Sequence, residues 1–205
     1  MRITETFVSL QGEGLRQGIP CMFVRFAGCN LHCAWCDTRY SMNNSLGVEM
    51  TTDEVMHVVI ASGMGYVCIT GGEPLLQKEV LIPLIAAIHE VGIFVDIETN
   101  GTIPFVDVQD FASVCMDVKC PSSGEMSDLS LLDSLRREDS VKFVIGDEAD
   151  YLYMVEVLAA HTDLRAPVCI TPMFGMDTKW LVETIIQEKL PVRFQLQIHK
   201  VVNIP

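Results

Sequence analysis

What this sequence most plainly lacks is positive charge. Lys and Arg number 14 against 27 Asp and Glu, for a formal net charge of −13 over 205 residues. A nucleic-acid-binding surface needs a basic face, and no basic stripe is present. The partner is therefore expected to be a small molecule, with any anionic ligand met by a few placed cations. No run of about 18 apolar residues occurs, so no membrane span is expected. The opening residues "MRITETFVSL" have no apolar leader core, which points to the cytoplasm, where thiols stay reduced. Repeats, low-complexity tracts and linkers are also missing. Residues 1–205 are expected to form one domain, within the usual size of roughly 100–200 residues.

What is present is a globular α/β pattern, with 49% hydrophobic and 20% charged residues. Short Val/Ile/Phe-rich runs recur at 22–27, 66–70, 93–98, 114–118, 141–145, 167–171 and 193–198, bounded by Gly, Pro or Asp. They read as buried parallel strands. Helical patterns lie between several of them. "TTDEVMHVVIAS" opens on a cap signal at Thr51–Asp53. "EVLIPLIAAIHEVG" puts Val80, Leu81, Leu84, Ile85 and Ile88 on one face and stops at Gly92. Its Pro83 is tolerable in a first turn, which sets the expected start near Leu81 or Ile82. Two further helices are expected behind the caps Asp147 and Asp177. The span 93–118 holds two strands with little room for a helix between them, and the chain is short for a closed eight-fold barrel. An open or partial α/β barrel follows.

Eight cysteines in a reducing compartment read as metal ligands or core thiols. Cys21, Cys68, Cys115 and Cys169 lie in apolar strand-like runs and are expected in the core. Cys120 follows Lys119 in a loop and is ambiguous. Cys29, Cys33 and Cys36 share one loop, "GCNLHCAWCDT". Disulfides want pairs, and a closed zinc site wants four ligands. Three thiolates at this spacing can hold three corners of a [4Fe-4S] cube and leave the fourth iron open to a ligand that is not protein. The competing readings are a zinc-binding structural module completed by His32 or Asp37, and a redox CxxC pair at Cys33 and Cys36. His32 adjoins Cys33, so its side chain is expected to point away from the thiolates.

"CNLHCAWC" resembles the CxxxCxxC loop of the radical S-adenosylmethionine (SAM) enzymes. "TGGEP" (70–74), directly after the strand "YVCIT", resembles their GGE turn. The resemblance implies a radical SAM-type partial β/α barrel. It also implies a [4Fe-4S] cluster on Cys29, Cys33 and Cys36 whose open iron is chelated by SAM. Trp35 would pack near the adenine. Gly72 would let backbone approach the ligand, and Glu73 would accept from the SAM amino group. Glu98 and Asn100 close a strand where α/β sheets bind ligands, and are implied at the ribose or methionine part of SAM. Asp117 and Lys119 align with a SAM-contact segment that often reads Ser-Pro-Lys. Here that segment is Asp-Val-Lys, which leaves Lys119 as the matching side chain.

Within that superfamily the chain resembles the 7-carboxy-7-deazaguanine synthase family along its whole length. "ETFVSLQGEG", "FVRFAGCNLHCAWCDT", "IETNGT", "MDVKCPSSG", "VKFVIGD" and the "LQIHK" tail carry the likeness in order. It implies conversion of 6-carboxy-5,6,7,8-tetrahydropterin to 7-carboxy-7-deazaguanine and ammonia. The route would be hydrogen abstraction by a 5′-deoxyadenosyl radical followed by ring contraction, in queuosine-type 7-deazapurine biosynthesis. A homodimer, an electron donor such as a flavodoxin or ferredoxin, and an N-terminal substrate-binding extension over about 1–20 are implied with it. Mg2+ is implied at Thr38, by itself an ordinary loop residue. Leu10, Gln11, Gly12, Glu13, Thr70, His199 and Pro205 are implied at the pterin.

Several of these fit on chemical grounds. Gln can donate and accept, and Glu can accept from ring N–H groups. Arg25 lies in an otherwise apolar strand and needs a partner, either a substrate carboxylate held bidentately or a structural ion pair. Within enzymes, a glycyl-radical activase shares the cysteine loop but would not need Gln11, Glu13 and Arg25 arranged for a small heterocycle. A cluster-bearing sensor without catalysis would not need the intact GGEP turn.

Overall fold

The computed structural model describes residues 1–204. Pro205 lies outside the described residues. Nine strands form one sheet. They are β1 (Arg2–Leu10), β2 (Pro20–Phe26), β3 (Val48–Glu49), β4 (Tyr66–Gly71), β5 (Phe94–Thr99), β6 (Ser113–Val118), β7 (Ser140–Ile145), β8 (Val168–Pro172) and β9 (Val192–Phe194), in the spatial order β3-β1-β2-β4-β5-β6-β7-β8-β9. From β2 through β9 neighbouring strands are parallel, as the sequence pattern predicts. The N-terminal edge departs from it. β1 runs antiparallel to both β2 and β3, so the first twenty residues form a strand and its turn within the sheet. The run "RITETFVSL" mixes polar and apolar residues because only part of it is buried. Its burial is too weak to read as a strand by hydrophobicity alone.

The helices are α1 (Thr52–Ala61), α2 (Lys78–Glu90), α3 (Glu148–Ala160), α4 (Lys179–Glu188) and α5 (Ile198–Val202). Thr51 caps α1 through a reciprocal pair with Glu54, and Asp147 caps α3. Asp177 accepts from the Lys179 amide one position outside the α4 cap. α2 starts three residues earlier than Pro83 suggests. Pro83 is exposed, so the one carbonyl it fails to engage can turn to water. Val80, expected inside, is 39% exposed. The tail also differs from expectation. β9 ends at Phe194 and the chain then turns into α5: β9 is an edge strand, the Gln195 N–H makes a last bond to the Ile170 carbonyl of β8 at 2.8 Å, and the Gln195 side chain reaches Gly14. No α-helix joins β5 to β6, as the short span requires.

Strand alternation gives the sheet two unlike faces. Val24, Phe26, Ile69, Val95, Ile97, Met116, Phe143 and Ile170 point outward. They pack against Val55 and Val59 of α1, Leu84, Ile85 and Ile88 of α2, Met154 of α3 and Leu181 of α4. That face is the hydrophobic core. The other face carries Phe23, Arg25, Thr70, Glu98, Asp117, Lys142 and Val144, which line a single cavity. The sheet curls far enough for its ends to meet. Gln195, just past β9, binds both the N–H and the C=O of Gly14, just past β1, at 3.0 and 2.7 Å. The result is an open, partial barrel. Among the described residues no helix is long and apolar enough to cross a membrane.

Candidate active site

The cavity encloses about 460 Å3. One wall is the cysteine loop between β2 and β3. Cys29, Cys33 and Cys36 all line it, with Trp35 and Thr38. The loop is held by backbone as much as by side chains. The Ala34 amide donates to the Ser123 carbonyl at 2.8 Å, and the Trp35 indole N–H donates to Ser122 Oγ at 3.0 Å. Ser122 in turn is fixed by Asp150 at the start of α3. Lys119 Nζ lies 5.4 Å from the centre of the Trp35 ring and ion-pairs with Asp117 at 3.0 Å.

The GGE turn packs directly on this loop. A Cβ on Gly72 would sit 2.1 Å from the Gly28 carbonyl oxygen, and one on Gly71 would sit 2.2 Å from that of Phe26. Only glycines allow this seam. Glu73 is placed differently from the expectation. It is fully buried behind Gly72 and does not line the cavity. Its carboxylate accepts from the Leu75 and Asn100 amides and from the Thr99 hydroxyl. Burial raises its pKa, and these bonds work against that rise. Asn100 does line the cavity and donates to Asn30 at 3.0 Å, while its Nδ2 lies 3.9 Å from Cys29 Sγ. Glu73 thus acts on the cysteine loop through Asn100.

The opposite wall comes from the turn after β1 and from the tail. Leu10, Gln11, Gly12 and Glu13 line it with His199. A Cβ on Gly12 would lie 2.2 Å from His199 Nδ1, so a larger residue there would displace the imidazole. Gln11 Nε2 lies within 3.3 Å of Glu98 Oε1 and 3.2 Å of the Tyr66 hydroxyl. Tyr66 donates to the buried Asp96 at 3.1 Å, and Ser113 donates to the same carboxylate at 2.8 Å. Glu13 ion-pairs with Lys142 and accepts from Gln197 Nε2 at 2.5 Å. Burial lowers the His199 pKa against the pull of Glu13, so its imidazole is neutral at pH 7. Burial pushes the Glu98 carboxyl up to about 7, against the lowering effect of Lys142. Arg25 does find an ion-pair partner, Glu5, through Nε at 2.8 Å, and Tyr40 donates to the same Glu5 oxygen at 2.6 Å. Thr70 stands beside Arg25 in register.

Every site residue read from the sequence therefore lines this one cavity except Glu73, which backs it, and Pro205, which is not described. The structure adds Lys142, Gln197, Phe7, Phe23 and Lys200, and it places Asp37, considered above only as a zinc ligand, on the same lining. Lys142 carried a readable signal. It is a charge inside the apolar run "SVKFVI", as Arg25 is inside "PCMFVRF". Asp37 and Lys200, 2.6 Å apart, carried none, because their pairing depends on where the tail returns. Cys21, Cys68, Cys115 and Cys169 are fully buried as expected, and so is Cys120.

The donor set decides which metal chemistry fits. Among the described residues no three or more His, Cys, Asp or Glu side chains converge to hold a single metal ion. A closed zinc site requires that convergence. A cube binds each thiolate through a different iron, so its cysteines stand further apart than the ligands of one zinc ion while facing the same space, and these three line one cavity. Burial raises the Cys29 and Cys33 pKa values. The Leu31 amide on Cys29 and the Lys119 charge near Cys33 act against this, and iron would displace the protons outright. The cysteine loop and the glycine seam suit a cluster with an organic ligand beside it.

Comparison with known proteins agrees. The Radical SAM superfamily model matches residues 23–118. A 7-carboxy-7-deazaguanine synthase of Methanospirillum hungatei is 47% identical over 205 residues, which is 100% of this chain and 86% of that protein. This chain belongs to the 7-carboxy-7-deazaguanine synthase family. Its member from Koribacter versatilis is 39% identical over 224 residues, covering 100% of this chain and 98% of its own. Among solved structures, that of QueE from Escherichia coli superposes with a TM-score of 0.79 at 28% identity, over 96% of this chain and 93% of the other. Streptococcus suis SuiB shares the fold alone, with a TM-score of 0.62 at 13% identity. The chain is thus a radical SAM enzyme, a family that uses a [4Fe-4S] cluster and SAM.

Proposed function

We propose that this enzyme converts 6-carboxy-5,6,7,8-tetrahydropterin to 7-carboxy-7-deazaguanine and ammonia, in the route to queuosine-type 7-deazapurines. The observation that carries the reading is a single cavity with three cysteines on one wall and Gln11, Glu13, Arg25 and His199 across from them, in a chain that matches the family end to end. When bound, the cluster and SAM supply the 5′-deoxyadenosyl radical that starts the ring contraction.

The protein's own part is to bind, orient and enclose. Cys29, Cys33 and Cys36 would hold the cluster. Trp35, Gly72, Asn100, Asp117 and Lys119 would surround SAM, with Glu73 fixing Asn100 from behind. Glu98 would reach the same ligand. Its Oε2 is buried without a hydrogen-bond partner and can hold a proton near neutral pH. Gln11 and Glu13 would read the amide and N–H edge of the pterin, with Leu10 and Gly12 as backbone walls and Thr70 beside them. Arg25 would meet the pterin carboxylate with the part of its fork that Glu5 does not use. Neutral His199 can donate or accept without placing a charge beside the ring. Pro205 is retained as a pterin contact by resemblance alone. Thr38 offers one hydroxyl to a Mg2+ ion that would take most ligands from substrate oxygens and water.

The enzyme is taken to be a cytoplasmic homodimer supplied by a flavodoxin or ferredoxin, a reading that rests on family likeness. The deciding experiment is anaerobic incubation of cluster-loaded protein with SAM, reductant, Mg2+ and the pterin, followed by mass spectrometry. A product lighter than the pterin by one ammonia is expected. SAM cleavage with the pterin unchanged would remove the substrate assignment and favour a glycyl-radical activase.

A further inference from the structure

Lys142 has no role in the reading above, yet it sits at the junction of the two walls. It is 7% exposed, on β7. Its Nζ meets carboxylates from three separate elements. Glu13 comes from the turn after β1, Asp117 from β6 at 3.2 Å, and Glu98 from β5 at 3.6 Å. Asp117 has a second cation in Lys119 at 3.0 Å. Glu13 has no other ion-pair partner among the described residues. Its two oxygens are held from two sides, Oε2 by Lys142 and Oε1 by Gln197. A carboxylate gripped this way has its plane fixed and keeps lone pairs free for donors from the cavity.

We propose that Lys142 is a positioning residue that fixes the orientation of the Glu13 carboxylate as an acceptor for the N–H edge of the pterin, with Gln197 as the second arm of the clamp. The inference rests on the pterin reading of the cavity. Without Lys142, Glu13, Glu98 and Asp117 would lose the ammonium they share, and Glu13 would lose the donor on its Oε2. Its plane would be held on one side only. Asp117 would keep Lys119, so the SAM side should lose less.

The test is equilibrium binding of 6-carboxytetrahydropterin and, separately, of SAM, by anaerobic calorimetry on cluster-loaded protein. The samples are wild type, Glu13→Gln, Lys142→Met and the double variant, each with a thermal unfolding scan. Lys142→Met is expected to weaken pterin binding about 10- to 100-fold, the range for a hydrogen bond to a charged group. SAM affinity should change less than about threefold. The double variant should match Glu13→Gln within about threefold, since residues acting through one another are not additive. Wild-type pterin binding with Lys142→Met unchanged, or a double variant about tenfold weaker than Glu13→Gln, overturns the proposal alone. No pterin binding by wild type removes the substrate reading and the proposal with it. If Lys142→Met does not fold, the double variant against Glu13→Gln decides, because that pair removes a cation and an anion together. Failure of the double variant to fold as well would make Lys142 structural.

Discussion

The two faces of this sheet are made from the same strands and differ in almost every physical respect. Outward residues such as Ile69, Ile97, Met116 and Phe143 are fully buried, apolar and covered by helices. Their inward neighbours on the same strands include Thr70, Glu98, Asp117 and Lys142, which line the cavity. The outer face gains stability from area removed from water. The inner face gives stability up. Glu98 Oε2 and Asp117 Oδ1 are buried without hydrogen-bond partners, a cost of about 1–3 kcal/mol for each such group. Both residues line the cavity, where departures from the rules of stable packing are expected of a functional site.

Substitutions can break this contrast at either face. The largest effect is expected at the cysteine wall. Cys33→Ser should abolish turnover and cut bound iron sharply, with the unfolding temperature of the iron-free protein little changed; iron analysis beside a melting curve reads both. Next comes the outer face. Leu84→Ala should cost about 2–5 kcal/mol of stability. Its kcat per folded molecule should stay close to wild type, as urea unfolding and a matched assay would show. A loss of kcat with stability intact would mean that the faces are not independent.

A finer effect comes from Glu98. Its folded pKa, about 7, lies above the ordinary glutamate value of 4.5. The folded state therefore binds the proton more tightly, so this contribution to stability is fully present below about 4.5 and is lost as pH rises through about 7. Glu98→Gln should remove that loss. Between pH 5 and 8 the variant should gain on wild type in unfolding temperature, while SAM affinity falls. Parallel melting curves for the two proteins across that range would count against a neutral Glu98. The smallest effect is expected at Lys200, whose bridge to Asp37 is partly exposed. Lys200→Met should change stability by only about 0–1 kcal/mol, and a shift of several kcal/mol would make the tail a structural strap.

The same contrast explains what could be read from the chain. The outer face was legible, because Leu84, Ile85 and Ile88 recur at helical spacing and the strand runs are strongly apolar. β1 was not, since "RITETFVSL" is only half-buried, beside the short edge strand β3. Neither was the end of the tail strand, because it is set by the Gln195 side chain binding Gly14 far away in sequence. Inside the cavity, local motifs were legible and pairings were not. Arg25 was recognisable as a charge needing a partner, but Glu5 as that partner was not. Glu73 was readable as part of a turn, but its inward rotation toward Thr99 and Asn100 was not.

The sequence by itself determined the cysteine loop, the glycine seam and the alternation of strand and helix. Those depend on spacing within a few residues, and a short loop can present three thiols whatever surrounds it. Only the tertiary structure decided which buried charges meet. Glu13, Glu98, Asp117 and Lys142 come from four places along the chain. Strand alternation says that Glu98, Asp117 and Lys142 point to one face, but the curl that joins Gly14 to Gln195 brings them and Glu13 into one cavity, and no local pattern encodes that closure.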